Sequence, residues 1–525
     1  MGVVKLDVAI LGGGMVGSML ARHLSLELTG RRITVFERKT EYSHNLGESM
    51  VEIASHYFIQ RLGLSSYLYD RHYPKNGLRF FFDSESKDTP LQEMTEIGSN
   101  GLPFFPAFQV DRIRLESDLN TMNERAGIEV RYGEKVGDLQ LGEAGAPHRF
   151  IASGVDGTQE YEARWVVDGT GRSRMIARLE DLHVDETELQ NASIWGWFEG
   201  VTDIDSLGPE SFRERVRYTA RRLSTLHFLY RGYWIWFIPL ANGITSIGVV
   251  CERKYDDLQY HSKEGFLEFL RGHRAVAQLL ENAKPMQTRS FKQLAYGTKR
   301  FFSPNRWGCV GESSAFPDPF YSPGADFISL GCDFMVDLIA RDLGGEDETA
   351  VSNRVELYDQ FTKFRVNAAL LLYRDQYSVL GSYEACKLKW DFDVGCYYNL
   401  WLSSFIQKEH LNVGALKRQL TRSGAVLTAI DGFARLFRKV DDHLTAKGEY
   451  FRLNRGEYNT GRDCLDFVTE AGQGRSPRET LATTQRIFNT VRNRALDILT
   501  DTSEPSVRED KPLSWFMTPR DLGQD

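Results

Sequence analysis

The chain has 525 residues, 42% of them hydrophobic and 26% charged, and a formal net charge of −8. That length exceeds one ordinary core and predicts two or three packed subdomains. The acidic balance, with a pI near 5.9, argues against nucleic acid as a partner. No apolar run approaches the ~18 residues needed to span a bilayer, and a strand pattern starts too early to leave room for a secretory leader. A cytoplasmic protein with no membrane partner is expected. Six cysteines, Cys251, Cys309, Cys332, Cys386, Cys396 and Cys464, lack C-x-x-C spacing. They read as reduced and buried, so neither a disulfide framework nor a metal site is expected.

In chain order, Leu6 to Leu11 reads as a strand that runs into Gly12-Gly13-Gly14-Met15-Val16-Gly17. Ser18 to Leu28 is helical, Gly30 stops it, and Arg32 to Glu37 is a second strand. This is G-x-G-x-x-G in its βαβ context, with Glu37 placed 20 residues past Gly17. Gly12, Gly14 and Gly17 let backbone approach a pyrophosphate at a helix N-terminus, and Glu37 accepts ribose hydroxyls. Asn45-Leu46-Gly47-Glu48-Ser49-Met50 follows. Ser49 and Glu52 fit a capping box for a helix starting near Val51, so Glu48 is open to either a capping or a cofactor role. Tyr73-Pro74-Lys75-Asn76-Gly77 leads into Leu78 to Phe82. A lysine among so many apolar residues would have its pKa lowered by desolvation.

Phe108 to Arg112 precedes a helix over Ile113 to Glu124, and Ala163 to Arg172 is a strand closing in a tight turn at Asp168-Gly169. The arginines between Arg213 and Arg222 read as a solvated helix face. Trp234-Ile235-Trp236-Phe237-Ile238-Pro239 puts two indoles on one face of a strand, which taken alone is a core pattern. Ile244 to Val250 is a paired strand. Trp307 to Cys309 is another strand, ending at Gly311-Glu312. In Asp318 to Gly324, Ser322 suits an N-cap and Pro323 the first turn of a helix over Ala325 to Leu343. Gly324 permits close approach to amides that favour an anion. Beyond Gly345 the pattern is helical. The aromatic stretch from Trp390 to Trp401 could line a pocket or pack a core, with core favoured; Ser476 to Glu479 is expected as a capping box with Pro477 at N1, and the tail from Thr500 as loose.

The spellings W-x-W-x-I-P, D-P-x-x-S-x-G, K-x-G-x-x-F and G-E-S, set behind the dinucleotide fingerprint, resemble the flavin-dependent halogenases over roughly residues 5–405. The resemblance is to the phenol and pyrrole type, within the FAD-dependent aromatic hydroxylase superfamily. It implies an α/β fold: an FAD-binding Rossmann-like (GR2-type) domain with an inserted β-sheet substrate domain and a C-terminal helical region. The expected divisions are a core at 1–180 with an insert at 51–105 carrying Lys75, a substrate-side sheet at 181–295, a return to the FAD domain at 296–345, and helices at 346–525.

The resemblance further implies FAD, used as FADH2, held by Gly12, Gly14, Gly17, Glu37, Gly47, Glu48, Arg112, Asp168, Glu312 and Gly324. Glu312 stands where the family commonly has Asp. Chloride or bromide would rest at Ser322, Pro323 and Gly324, and Trp234 and Trp236 would separate flavin from substrate. O2 would give a flavin C4a-hydroperoxide, halide attack would give hypohalous acid, and Lys75 would direct it. Tyr321 replaces a glutamate of the tryptophan halogenases, which points to a phenol, pyrrole or polyketide-type aromatic, free or tethered to a carrier protein. No second nucleotide fingerprint is present, consistent with a two-component system served by a separate NAD(P)H:flavin reductase. Two alternatives share the FAD motifs: an aromatic monooxygenase and a catalytically silent FAD-binding scaffold.

Overall fold

The computed structural model describes residues 2–143, 145–255, 262–461, 468, 471–502 and 508–524. Its first sheet is built on parallel strands. Val4–Leu11 lies between Gly157–Asp168 and Ile33–Glu37, with Trp307–Cys309 and Glu129–Tyr132 outside them. The strand of Val8, Ala9, Ile10 and Leu11 is buried throughout, as expected when helices cover both faces of a parallel sheet. Helices Met15–Glu27 and Gly324–Leu343 pack together on this sheet.

The second sheet runs Lys284–Phe291, Asn191–Glu199, Ile244–Glu252, Tyr233–Pro239, Thr225–Tyr230, Leu78–Phe82, Thr95–Ile97 and Tyr458–Asn459. It therefore recruits strands from the insert after the first βαβ unit and one from the C-terminal region. Tyr73–Lys75 pairs separately with Ala107–Gln109, opposing Lys75 to Ala107. A third layer of helices, Glu348–Leu371, Tyr383–Cys396, Ser423–Ala446 and Pro477–Leu499, packs around Phe392, Phe433 and Phe488. The last helix has the capping box at Ser476 and Glu479.

Several local expectations are corrected. The arginines from Arg213 to Arg222 do not share a solvated helix face, because the helix there is only Glu210–Glu214. Arg221 is fully buried and grips Glu96 through Nε at 2.8 Å and Nη2 at 3.0 Å. Arg79 donates to the same carboxylate at 2.5 Å. Burial works to raise the Glu96 pKa, and the two guanidinia outweigh it. Among the described residues of the tail, Phe516 and Leu522 are not loose but buried in the helical core. Helix Glu52–Gln60 starts without a side-chain cap, so Ser49 and Glu52 form no capping box. Cys251, Cys309, Cys332, Cys386 and Cys396 are buried, and Cys464 lies outside the described residues. Among the described residues no helix is long and apolar enough to cross a membrane.

Candidate functional site

The glycine turn after the first strand takes a shape that only small residues allow. Gly12 sits at φ +98°, and a Cβ on Gly17 would lie 1.9 Å from the Gly12 carbonyl oxygen. A Cβ on Gly14 would meet nothing nearer than Glu116 Oε2 at 3.8 Å, so the turn leaves open space beside it. Glu37 Oε2 accepts the Gly13 amide at 2.7 Å, which pins the acid at the end of its strand over the turn. Gly47, at φ +96°, leaves room for the Arg112 guanidinium, which bonds the Leu46 carbonyl and Glu116.

Asp168 has its carboxylate committed to the protein, accepting from Thr170 N and Oγ1 and from Ile176 N. It holds a tight turn in place. Glu312 lies 3.9 Å from Arg172 and is partly exposed. Gln109 is fully buried with neither side-chain polar atom bonded, beside Ser49. A buried amide without partners is costly, and a flavin edge would satisfy it. The residues present therefore fit FAD.

Lys75 lies next to this groove, 1% exposed. Its Nζ donates to Ser49 Oγ at 2.7 Å and to the Met50 carbonyl at 3.0 Å. Ser49 Oγ also meets Thr225 Oγ1 at 2.9 Å and accepts from Ser322 Oγ at 2.9 Å. One hydroxyl thus joins the lysine to the loop before the long helix. Burial lowers the Lys75 pKa to about 8, with Glu52 and Asp326 working against the fall. Ser322 does not cap the helix as the sequence suggested. It sits at φ +58° with its side chain turned to Ser49, and Pro323 takes the cap position. A Cβ on Gly324 would approach only Phe316, at 3.9 Å, so space opens over this helix end.

Both indoles are buried, with ring centroids 5.6 Å apart. Trp236 faces Gly248 across the sheet, where a Cβ would lie 2.3 Å from its ring. Its Nε1 donates to Ser246 Oγ at 3.3 Å. Trp234 packs on His227 and Phe320 and donates to the Tyr377 hydroxyl at 3.4 Å. Tyr377 in turn donates to Asp318 at 2.6 Å, and Asp318 accepts the Phe320 amide. The tryptophan strand and the Asp318–Gly324 loop are therefore tied by one buried chain of bonds. Burial lowers the His227 pKa to about 3, helped by Lys75, so this ring is neutral beside the lysine. Glu48 is buried and accepts from Trp197 Nε1 at 2.6 Å; burial raises its pKa to about 7 against that bond and one from Ser246.

On the other side of Lys75 a cavity of about 1220 Å³ opens between the FAD domain and the C-terminal helices. Asn76, Gly77, Tyr321 and Pro323 contribute to it, and neither Trp234 nor Trp236 does. The aromatic stretch expected as core instead forms its wall: Trp390, Tyr397, Tyr398 and Trp401 line it, the last three on a π-helical turn over Tyr397–Leu402. Such turns push side chains outward from the helix and often mark functional sites. Sequence reasoning missed Gln109, Thr225, Tyr377 and the linking role of Ser49, because each acts through a partner far away in the chain.

Residues 5–219, which contain the dinucleotide turn and Lys75, match the FAD binding domain family. More narrowly, the chain is similar to flavin-dependent halogenases. It is 28% identical over 436 residues to the flavin-dependent halogenase chlA of Dictyostelium discoideum, covering 77% of this chain and 71% of that protein. It is 25% identical to a 1H-pyrrole-2-carbonyl-[peptidyl-carrier protein] chlorinase of Pseudomonas fluorescens, covering 68% and 79%. In fold it is similar to the halogenase PltM, solved with phloroglucinol and FAD, at a TM-score of 0.68 and 15% identity, covering 93% of this chain and 99% of that one. It is also similar to the myxobacterial chondrochloren halogenase CndH, at 0.57 and 22%, covering 70% and 82%.

Proposed function

We propose that this protein is an FADH2-dependent halogenase that chlorinates or brominates an electron-rich aromatic substrate, of the phenol, pyrrole or polyketide type, free or carrier-bound. The carrying observation is Lys75, a buried ammonium joined through Ser49 to the Ser322–Gly324 loop, with its neighbours Asn76 and Gly77 lining an aromatic-walled cavity. FAD would be held by Gly12, Gly14, Gly17, Glu37, Gly47, Arg112, Glu312 and Gly324, with Glu48 and the Asp168 turn supporting the site. When bound in reduced form it supplies the activation of O2 that oxidises halide to hypohalous acid.

The protein's own residues do the rest. Gly324 and the helix end behind it favour a halide, Lys75 holds and directs the oxidant by hydrogen bonding, and the cavity presents the ring to be halogenated. Trp234, braced by Phe320 and His227, and Trp236 beside it form the wall on the flavin side. Tyr321, in place of a carboxylate, suits a ring already rich in electrons. The reducing equivalents come from a separate NAD(P)H:flavin reductase, in keeping with a single dinucleotide fingerprint in the sequence, and the setting is cytoplasmic.

The test supplies such a reductase, NADH, O2, bromide or chloride, and a panel of phenols and pyrroles, with products read by mass spectrometry. A halide-dependent mass gain absent in Lys75→Ala supports the reading. Gain of one oxygen irrespective of halide replaces it with the hydroxylase.

A further inference from the structure

Halogenating a phenol is fastest when its hydroxyl loses a proton as the ring attacks, so the cavity needs a group to accept it. Glu52 is the first residue of helix Glu52–Gln60, two positions after the carbonyl that holds Lys75. Its side chain lines the cavity, 8% exposed. It caps nothing, and among the described residues no lysine or arginine lies within ion-pair distance of it, yet a buried carboxylate without a cation is costly. One oxygen accepts from the Tyr398 hydroxyl at 2.5 Å.

Lys75, Asp326, Tyr397 and Tyr398 interact with it, and Arg365 lines the same cavity. Asp326 has both oxygens committed, to the Ala54 amide at 2.9 Å and the Tyr397 hydroxyl at 3.0 Å. Arg365 stacks on Trp401, 3.9 Å from its ring centroid. Burial raises the Asp326 pKa to about 7, and Glu52 adds to the rise. Glu52 lines the cavity and Lys75 is buried behind it, near enough for Glu52 to act on the ammonium electrostatically.

Resting on the halogenation reading above, we propose that Glu52 is the catalytic base that takes the hydroxyl proton of a phenolic substrate, with Tyr398 fixing its carboxylate. The step balances. The phenol O–H proton passes to Glu52, and the ring carbon bonds the halogen of hypohalous acid as its O–halogen bond breaks. The departing hydroxide takes the ring C–H proton to become water. Glu52 then returns its proton to the product oxygen.

The test compares Glu52→Gln and Glu52→Asp with the parent on two substrates, an alkylphenol of ordinary acidity and 4-nitrophenol, which ionises readily in neutral solution. Glu52→Gln is expected to lose about 10²–10⁴-fold in kcat/KM on the alkylphenol and less than about tenfold on 4-nitrophenol, with Glu52→Asp recovering part of the loss. A second readout needs no turnover. The absorbance of bound 4-nitrophenol is titrated with pH, and loss of the neighbouring negative charge in Glu52→Gln should lower its bound pKa by about one unit or more. Equal losses on both substrates, or no loss, together with an unmoved titration, would overturn the assignment. A parent protein that halogenates nothing would sink the halogenation reading instead, and the titration would still report on Glu52.

Discussion

Replacing Lys75 with Met makes the buried charge measurable as stability. The pKa falls from its ordinary 10.5 to about 8 because burial penalises the ammonium. The unfolded chain therefore keeps this proton up to about pH 10.5 while the folded protein releases it near 8, and parent stability rises with pH across that window. Below pH 8 the full cost is present, about 3 kcal/mol at ~1.4 kcal/mol per unit. Lys75→Met removes that cost. It also forfeits the bonds to Ser49 and the Met50 carbonyl, about 1 kcal/mol each and independent of pH. The variant's advantage over the parent should therefore shrink by about 3 kcal/mol between pH 7 and pH 10.5. Denaturant unfolding of both proteins at the two pH values measures it. A gap that stays constant within about 1 kcal/mol would refute the buried, strained ammonium. Better stability bought with lost halogenation would be the trade expected of a functional charge.

Three further outcomes follow from the same geometry. Gly17→Ala places a methyl 1.9 Å from the Gly12 carbonyl, so the purified variant should carry little flavin, read from its visible absorbance. Ser49→Ala cuts the link between Lys75 and Ser322; it should cost about 1.5–3 kcal/mol in stability and raise the bromide concentration for half-maximal product several-fold, and an unchanged bromide dependence would uncouple the lysine from the loop. Trp234→Phe opens the wall between the Lys75 side and the sheet, so oxygenated product should appear beside halogenated product in mass spectra. A product ratio equal to the parent's would make Trp234 only a core residue.

The dinucleotide turn was legible because its physics is local. Glycines at a strand end, a helix behind them and an acid at the next strand end stand within forty residues, and the structure forms that strand, turn, helix and strand. Lys75 was legible by its position between motifs, and its burial by the apolar residues around it. The rest depends on distant pairings. Ser49 looked like a cap since Glu52 follows at the right spacing, but its hydroxyl is drawn instead to Lys75, Thr225 and Ser322, which arrive from three separate segments. Trp390 to Trp401 favoured core because aromatic density resembles core density, whereas Tyr397, Tyr398 and Trp401 reach the cavity from a π-helical turn and Trp390 from the helix before it. Arg221 looked solvated because the sequence does not show that Glu96 and Arg79 meet it inside the second sheet.

The most direct measurement of the central claim supplies heavy-isotope O2, bromide, reduced flavin and one phenol, and weighs the product. The account predicts a product carrying bromine and no heavy oxygen, formed only when Lys75 is intact. A product carrying one heavy oxygen and no bromine would contradict it and make the protein a hydroxylase.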